Sequence, residues 1–395
     1  MSAKKNKKET TSKIRVDFRK NRNERTRITN WTQKFQQNEL QNDKEDLSNS
    51  ERISGKGNLV RKRTIIGTAL NRENASGERG DFDILPKIDA NDCFEGRVIR
   101  VHGLYSYVED SKGRLFTCAT RRILKTISTD QRQIVVAGDR VLFRDAQLPE
   151  RLEGIIERVE PRFGTLSRTS RNRKHIIVTN IDQAFIVASA AEPRLKPNLI
   201  DRFLVTCDRA GIKPIICINK IDLIDLASLQ PLIGVYSQMG YSVIPTSVIT
   251  GVGVERLKRL MNGCQSVVVG QSGVGKSSLL NQIDPSLDLK IGKISAENQK
   301  GKHTTTTAEL LKLTSGGYVV DTPGIRQFML WDFIPEEVIG FYRDLRPYEN
   351  LCRFPDCSHT HEDFCAVKDA IADGRLDLRR YESYLALRAG EMLEG

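Results

Sequence analysis

Hydrophobic and polar positions divide the chain into four textures. Residues 1–88 scatter apolar residues among Asn, Lys, Arg, Glu and Ser with no sustained period, which predicts a mostly disordered arm. From Cys93 the pattern alternates, through residues 94–108 (FEGRVIRVHGLYSYV), 114–120, 133–143 (QIVVAGDRVLF) and 152–159. Short runs of period two, punctuated by Gly103, Gly113, Gly138 and Gly154, predict strands of a small OB-like β-barrel over 89–163. Residues 161–174 (PRFGTLSRTSRNRK) are basic and poor in hydrophobics and read as a linker. Within 175–333 apolar strands alternate with helical stretches. Strands are predicted at 183–190, 213–218, 242–245, 266–269 and 318–320, and helices near 200–211, 229–239, 254–261 and 276–283. That rhythm predicts an α/β domain with a largely parallel sheet and helices on both faces. Residues 334–395 read as a helix, a Cys/His knot and further helices, a helical C-terminal domain.

Composition sharpens this picture. At 395 residues the chain exceeds what one hydrophobic core holds, so several domains are expected. The 62 Lys+Arg outnumber 50 Asp+Glu, and residues 1–80 alone hold 20 and 10 of them. An arm carrying nearly all the excess charge suggests a polyanionic partner, nucleic acid or an anionic membrane, and nucleic acid is favoured over a tail that serves solubility alone. No apolar run approaches 18 residues, so no membrane helix is expected. The start is basic without an apolar core, which does not fit a secretory signal, and eight scattered cysteines are too few for a disulfide scaffold. A cytoplasmic protein, its thiols reduced or metal-bound, is the expectation. Nothing resembles a heptad seam, so a monomer is expected.

The chemistry begins at Gly270, Gln271, Ser272, Gly273, Val274, Gly275, Lys276, Ser277 and Ser278, which match G-x-x-x-x-G-K-[ST] between a predicted strand and a predicted helix. Glycines let the backbone wrap a phosphate, and N–H groups at a helix start bind the anion. Lys276 reaches β- and γ-phosphates, and the Ser277 hydroxyl is placed to ligate Mg²⁺. Asn219, Lys220, Ile221 and Asp222 (NKID) directly follow a predicted strand and choose the base. The Asp222 carboxylate accepts both hydrogens of the guanine N1/N2 edge, a pair of donors adenine lacks. Asn219 ties the nucleotide loops together, the Lys220 stem lies over the ring, and Ser247 offers a backbone N–H to the guanine oxygen. Asp321 and Gly324 (DTPG) match D-x-x-G, with Asp321 in the Mg²⁺ shell and the Gly324 N–H toward the γ-phosphate. Between them a polar loop, 295–307 (SAENQKGKHTTTT), offers Thr305 or Thr306 to complete Mg²⁺ coordination.

Most GTPases run P-loop, threonine loop, DxxG, NKxD; here NKID precedes the P-loop, as after a circular permutation. With these motifs in this order the chain resembles the RsgA (YjeQ) family, small-subunit-dependent ribosomal GTPases, over roughly residues 90–370. Cys352, Cys357, His359 and Cys365 form a closed Cys₃His set for one structural Zn²⁺, with His361 a neighbouring rival that the family pattern disfavours. The resemblance also implies that His303, before the threonines, serves hydrolysis. A glutamine that orients water often follows DxxG, but Ile325 stands there and can do no such work. The family implies GTP hydrolysis to GDP, stimulated by the small (30S) ribosomal subunit and its 16S-type rRNA, in late subunit assembly. In the permuted order DTPG leads within about 30 residues into the zinc domain, so a γ-phosphate-dependent shift is expected to reposition that domain on a partner. Two other readings stand beside it. One is an RNA-binding scaffold with GTP as structural ligand; the other is a regulatory GTPase unconnected to ribosomes.

Overall fold

The computed structural model describes residues 12–17, 62–69, 84–86, 92–121, 124, 134–146, 151–170, 173–289, 308–321 and 334–390. Within the arm, β1 (Ser12–Asp17), β2 (Lys62–Ala69) and β3 (Ile84–Pro86) pair antiparallel in that order. No period announced them: β2 holds only Thr64, Ile65 and Ile66 as a β-branched run, too short to stand out in a polar segment.

The barrel consists of β4 (Phe94–His102), β5 (Tyr105–Asp110), β6 (Leu115–Thr120), β7 (Arg140–Asp145) and β8 (Glu153–Val159). Their order is β4-β5-β6-β8-β7, and β7 pairs back to β4, closing a five-stranded OB-like barrel. Only β6 and β8 run parallel. Inward positions of each strand (Val98, Val108, Phe116, Val141, Phe143, Ile156) fill the interior, as period two demands. The run 94–108 breaks at Gly103, whose φ of 60° turns the chain. Of the described residues 134–143, strand β7 takes only those from Arg140; Val135, Val136 and Ala137 are buried before it.

The segment expected as a linker is a docked hairpin, β9 (Leu166–Ser170) against β10 (Arg173–Val178). Its sparse apolar residues Leu166 and Val178 enter the neighbouring core. Arg162 donates to both Asp139 oxygens, at 2.7 and 2.8 Å, in an ion pair almost closed to water.

The α/β domain runs β11 (Gln183–Ser189), α1 (Pro197–Ala210), β12 (Lys213–Asn219), α2 (Gln230–Gln238), β13 (Ser242–Pro245), α3 (Val254–Met261), β14 (Gln265–Val269), α4 (Lys276–Ile283), β15 (Glu309–Lys312) and β16 (Tyr318–Asp321). The order is β13-β12-β11-β14-β16-β15, parallel except for β15. Strands such as Lys213–Asn219 (KPIICIN) are apolar along their interior, Pro214 to Ile218, because both faces are covered. Ile216 and Ile218 pack with Ile200, Phe203 and Tyr236 on the α1/α2 side. Ile215 and Cys217 pack with Leu257, Met261 and Leu279 on the α3/α4 side. One pairing, Glu309 with Arg100, joins β15 to the barrel's β4.

The C-terminal region is helical, with α5 (Arg346–Glu349), α6 (Ala366–Ala372) and α7 (Leu378–Arg388) around Tyr342, Leu345, Val367 and Tyr384. Val205 of α1 belongs to that cluster. Among the described residues no helix is long and apolar enough to cross a membrane.

Candidate nucleotide site and metal centre

Parallel strands β12, β11, β14 and β16 end at one edge of the sheet, so Asn219, Ser189, Gly270 and Asp321 stand along a single crevice. A ligand of an open α/β sheet sits in such a crevice. Gly270, Gly273 and Gly275 all have positive φ, at 144°, 84° and 94°. A Cβ on Gly270 would lie 2.1 Å from the Val187 carbonyl oxygen, and one on Gly275 2.5 Å from Asn219 Nδ2. Only glycine fits either position, which leaves the loop's N–H groups free of side-chain cover. Lys276 Nζ donates to the carbonyls of Gly270 at 2.8 Å and Gln271 at 2.6 Å, which places it over the loop. Ser277 and Ser278 lie in the first turn of α4, and Gln271, Ser272 and Val274 complete the loop, with Val274 buried.

Asn219 is buried at the end of β12, and its Nδ2 donates to the Val274 carbonyl at 2.9 Å, joining the NKID turn to the phosphate loop. Thr246, which sequence reasoning passed over, donates to Asn219 Oδ1 at 3.2 Å and so orients that amide. Its only signal was its place beside Ser247 after β13. Lys220 adopts a left-handed φ of 64°, and its Nζ donates to the Glu192 carbonyl, carrying its stem across toward the loop after β11. Ile221 is buried below, and Asp222 projects from the turn. The Ser247 hydroxyl donates to Asp222 Oδ1, which leaves the other carboxylate oxygen for a base edge. The expected donor role of the Ser247 N–H is corrected: that N–H is donated to the Val252 carbonyl at 3.0 Å, closing its own loop.

Asp321 ends β16, beside the P-loop strand. Thr305, Thr306, His303, Gly324 and Ile325 lie outside the described residues. Asp284 follows the C-terminal end of α4. Burial raises its carboxyl pKa, but hydrogen bonds from Ser286 and Thr314 outweigh that and hold it below the usual range. Thr314 Oγ1 donates to it at 2.9 Å, tying α4 to the β15–β16 turn.

The donor atoms of Cys352, Cys357, His359 and Cys365 lie within 4.8 Å of one another. Tetrahedral zinc, with Zn–S near 2.3 Å and Zn–N near 2.0–2.1 Å, requires S···S of about 3.8 Å and S···N of about 3.6 Å. Cys352 and Cys365 sulfurs stand 3.9 Å apart, and each is 3.4 Å from His359 Nδ1. The set fits zinc. Tyr381 donates to the His359 carbonyl at 2.7 Å and Tyr384 to that of Ser358 at 2.9 Å, so α7 fixes the turn on which the imidazole sits. His361, the rival ligand, projects into solvent and bonds Thr360 instead.

A phosphate loop, a guanine-type NKxD turn and a D-x-x-G strand end on one α/β sheet, with a barrel before it and a zinc-type knot after it, define a circularly permuted P-loop GTPase. The RsgA GTPase family model matches residues 159–331. A protein of Sodalis glossinidius called small ribosomal subunit biogenesis GTPase RsgA is 38% identical over 297 residues, 73% of this chain and 84% of the relative. Its namesake in Actinobacillus succinogenes is 38% identical, over 73% of this chain and 82% of that one. Among solved structures, YjeQ from Thermotoga maritima is 34% identical with a TM-score of 0.61, covering 75% of this chain and 98% of its own. YloQ, described as a circularly permuted GTPase, is 30% identical at a TM-score of 0.60, covering 77% and 96%. The chain belongs to the RsgA GTPase family.

Proposed function

We propose that this GTPase acts in the late assembly of the small ribosomal subunit, engages its 16S-type rRNA, and is driven to hydrolyse GTP to GDP by that contact. It works in the cytoplasm as a monomer, and its excess positive charge in residues 1–80 adds attraction for the phosphate backbone. The relatives' name supports the subunit. The observation that carries the nucleotide site is the Asn219–Val274 bond, which makes base-reading and phosphate-binding turns one unit.

In this reading the N–H groups of Gly270–Ser278 hold the phosphates and Lys276 turns from its carbonyl partners to the β- and γ-oxygens. Asp222, positioned by Ser247, takes the guanine edge, and Lys220 and Ile221 bound the ring. Ser277, Asp321 and Thr305 or Thr306 would hold Mg²⁺, which supplies charge neutralisation at the phosphates. The Gly324 N–H donates to the γ-phosphate, and His303 orients the attacking water through an imidazole nitrogen.

Single-turnover hydrolysis with and without purified small subunits tests this. Wild type should be slow alone and faster with subunits. His303→Ala should lose most of that stimulation, on the order of 100-fold as for a general acid–base group, and keep its GTP affinity. Bound GTP with no turnover would make the protein a scaffold, and turnover indifferent to subunits would make it a regulatory GTPase of another system. Full stimulation in His303→Ala would place the water-orienting group elsewhere.

A further inference from the structure

The barrel meets the α/β domain at two joints of opposite character. The first is buried. Asp139 accepts from Arg162, from Thr179 Oγ1 at 2.9 Å and from the Val136 N–H at 2.8 Å. Gln265, which starts the P-loop strand, donates to the Thr179 carbonyl at 2.7 Å. Opening this joint would strand buried charges, so it acts as a fixed pivot.

The second joint grips the β15–β16 hairpin. Glu109 of barrel strand β5 is itself nearly buried, yet its carboxylate faces out of the barrel. Oε1 accepts from Lys312 Nζ, and Oε2 accepts from Tyr318 OH at 2.8 Å. Lys312 and Tyr318 are opposite one another in the ladder, so one carboxylate holds both strands. The Arg97 guanidinium covers the Tyr318 ring at 4.6 Å. At the hairpin's other end Arg100 pairs with Glu309 at 3.3 Å, and Glu309 is directly opposite Asp321. The barrel therefore touches the hairpin at the rung that carries Asp321 and at the rung farthest from it.

These contacts suit a switch. Lys312, Arg100 and Glu309 are 59%, 45% and 41% exposed, so water and salt compete for each pair and a modest bias shifts them. A cleft of about 770 Å³, lined by Glu109, Arg97, Lys312 and Tyr318, leaves the hairpin room to move against the barrel. The β15–β16 turn also holds α4 through Thr314 and Asp284, so displacement reaches the phosphate helix as well.

We propose that Glu109 is a positioning residue for GTP hydrolysis, acting through Lys312 and Tyr318 on the β15–β16 hairpin so that a ligand on the barrel sets where Asp321 stands. This rests on the reading of Asp321 as a nucleotide-site residue and of the small subunit as the barrel's ligand.

The test compares full-length wild type with Glu109→Ala and with Glu109→Gln, which keeps an acceptor for Tyr318. In Glu109→Ala the subunit-stimulated rate should fall about tenfold, while the unstimulated rate, GTP affinity and subunit binding stay within about twofold. Glu109→Gln should keep roughly a third or more of the stimulated rate. Adding Tyr318→Phe to Glu109→Ala should lower it no further, since the pair acts as one unit. In the free protein, amide exchange across Glu309–Lys312 and Tyr318–Asp321 should quicken about tenfold in Glu109→Ala, with Gln183–Ser189 unchanged. Full stimulation of Glu109→Ala overturns the proposal. So does a loss matched by equal loss of GTP affinity or subunit binding, the mark of a merely structural residue. Wild type indifferent to subunits sinks the ribosomal reading instead, and hairpin exchange then decides on the latch: unchanged exchange overturns it, faster exchange supports it.

Discussion

Asp222 shows how much one side chain is asked to do. Its carboxylate is held at one oxygen by the Ser247 hydroxyl, on a turn that left-handed Lys220 makes possible. Replacing it with an amide presents a donor where guanine also donates. Asp222→Asn should weaken GTP binding by roughly 1–3 kcal/mol, the cost of an unmatched polar pair. Fluorescent-nucleotide titration with ATP as competitor measures this, and equal affinity of wild type for ATP and GTP would end the guanine assignment. Asn219 and Gly275 work at the same scale. The amide fills the space a Cβ at 275 would need, so the close approach of the two turns depends on glycine there.

At the scale of elements, the zinc knot is a turn between α5 and α6 whose own apolar side chains are not buried; Leu351, Phe354 and Phe364 face solvent. Metal coordination supplies the order that burial does not, because binding energy in such a knot is folding energy. Zinc is held by thiolates, so its binding displaces the thiol protons. Cys357→Ser should release the metal and expose residues 350–366 to protease, with GTP binding retained. Metal analysis and limited proteolysis check both halves, and wild type purified without chelator but lacking zinc would refute the site. The β9–β10 hairpin makes a related point: a basic segment poor in hydrophobics is ordered by what it docks against.

At the scale of the molecule, the C-terminal domain is fastened to the α/β domain by charge. Asp201 of α1, closed to water, lies 2.7 Å from Arg380 and 3.0 Å from Arg379 of α7, and Tyr236 donates to it at 2.7 Å. Arg380 is completed by Asp344, at 2.9 Å through two nitrogens. A shift that repositions this domain must therefore carry α1 with it. Asp201→Ala leaves Arg380 buried beside a single carboxylate and should cost about 3 kcal/mol, at the lower end for breaking a buried pair since Asp344 remains. Thermal or urea unfolding reads the loss. An unchanged midpoint would mean that packing of Val205 against Tyr342 and Tyr384 holds the domains together without the ions.

The sequence by itself determined whatever depends on local order along the chain. P-loop, NKID, DTPG and the Cys/His knot are contiguous motifs, because wrapping a phosphate or a metal needs neighbouring backbone groups. Strands such as Ser242–Pro245 and helices such as Val254–Met261 and Lys276–Ile283 follow from period and glycine punctuation, and the structure has them at the expected residues. Only the tertiary structure decided which side chains meet across distant segments. Ser247 serves Asp222 through its hydroxyl because its N–H closes a loop with Val252. The segment read as a linker is docked because Leu166 enters the neighbouring core and Arg162 before it meets Asp139. Glu109, an ordinary acidic residue in an alternating strand, faces Lys312 and Tyr318 some 200 positions later. Period records which face of a strand is dry, and says nothing about which charge waits on the element packed beside it.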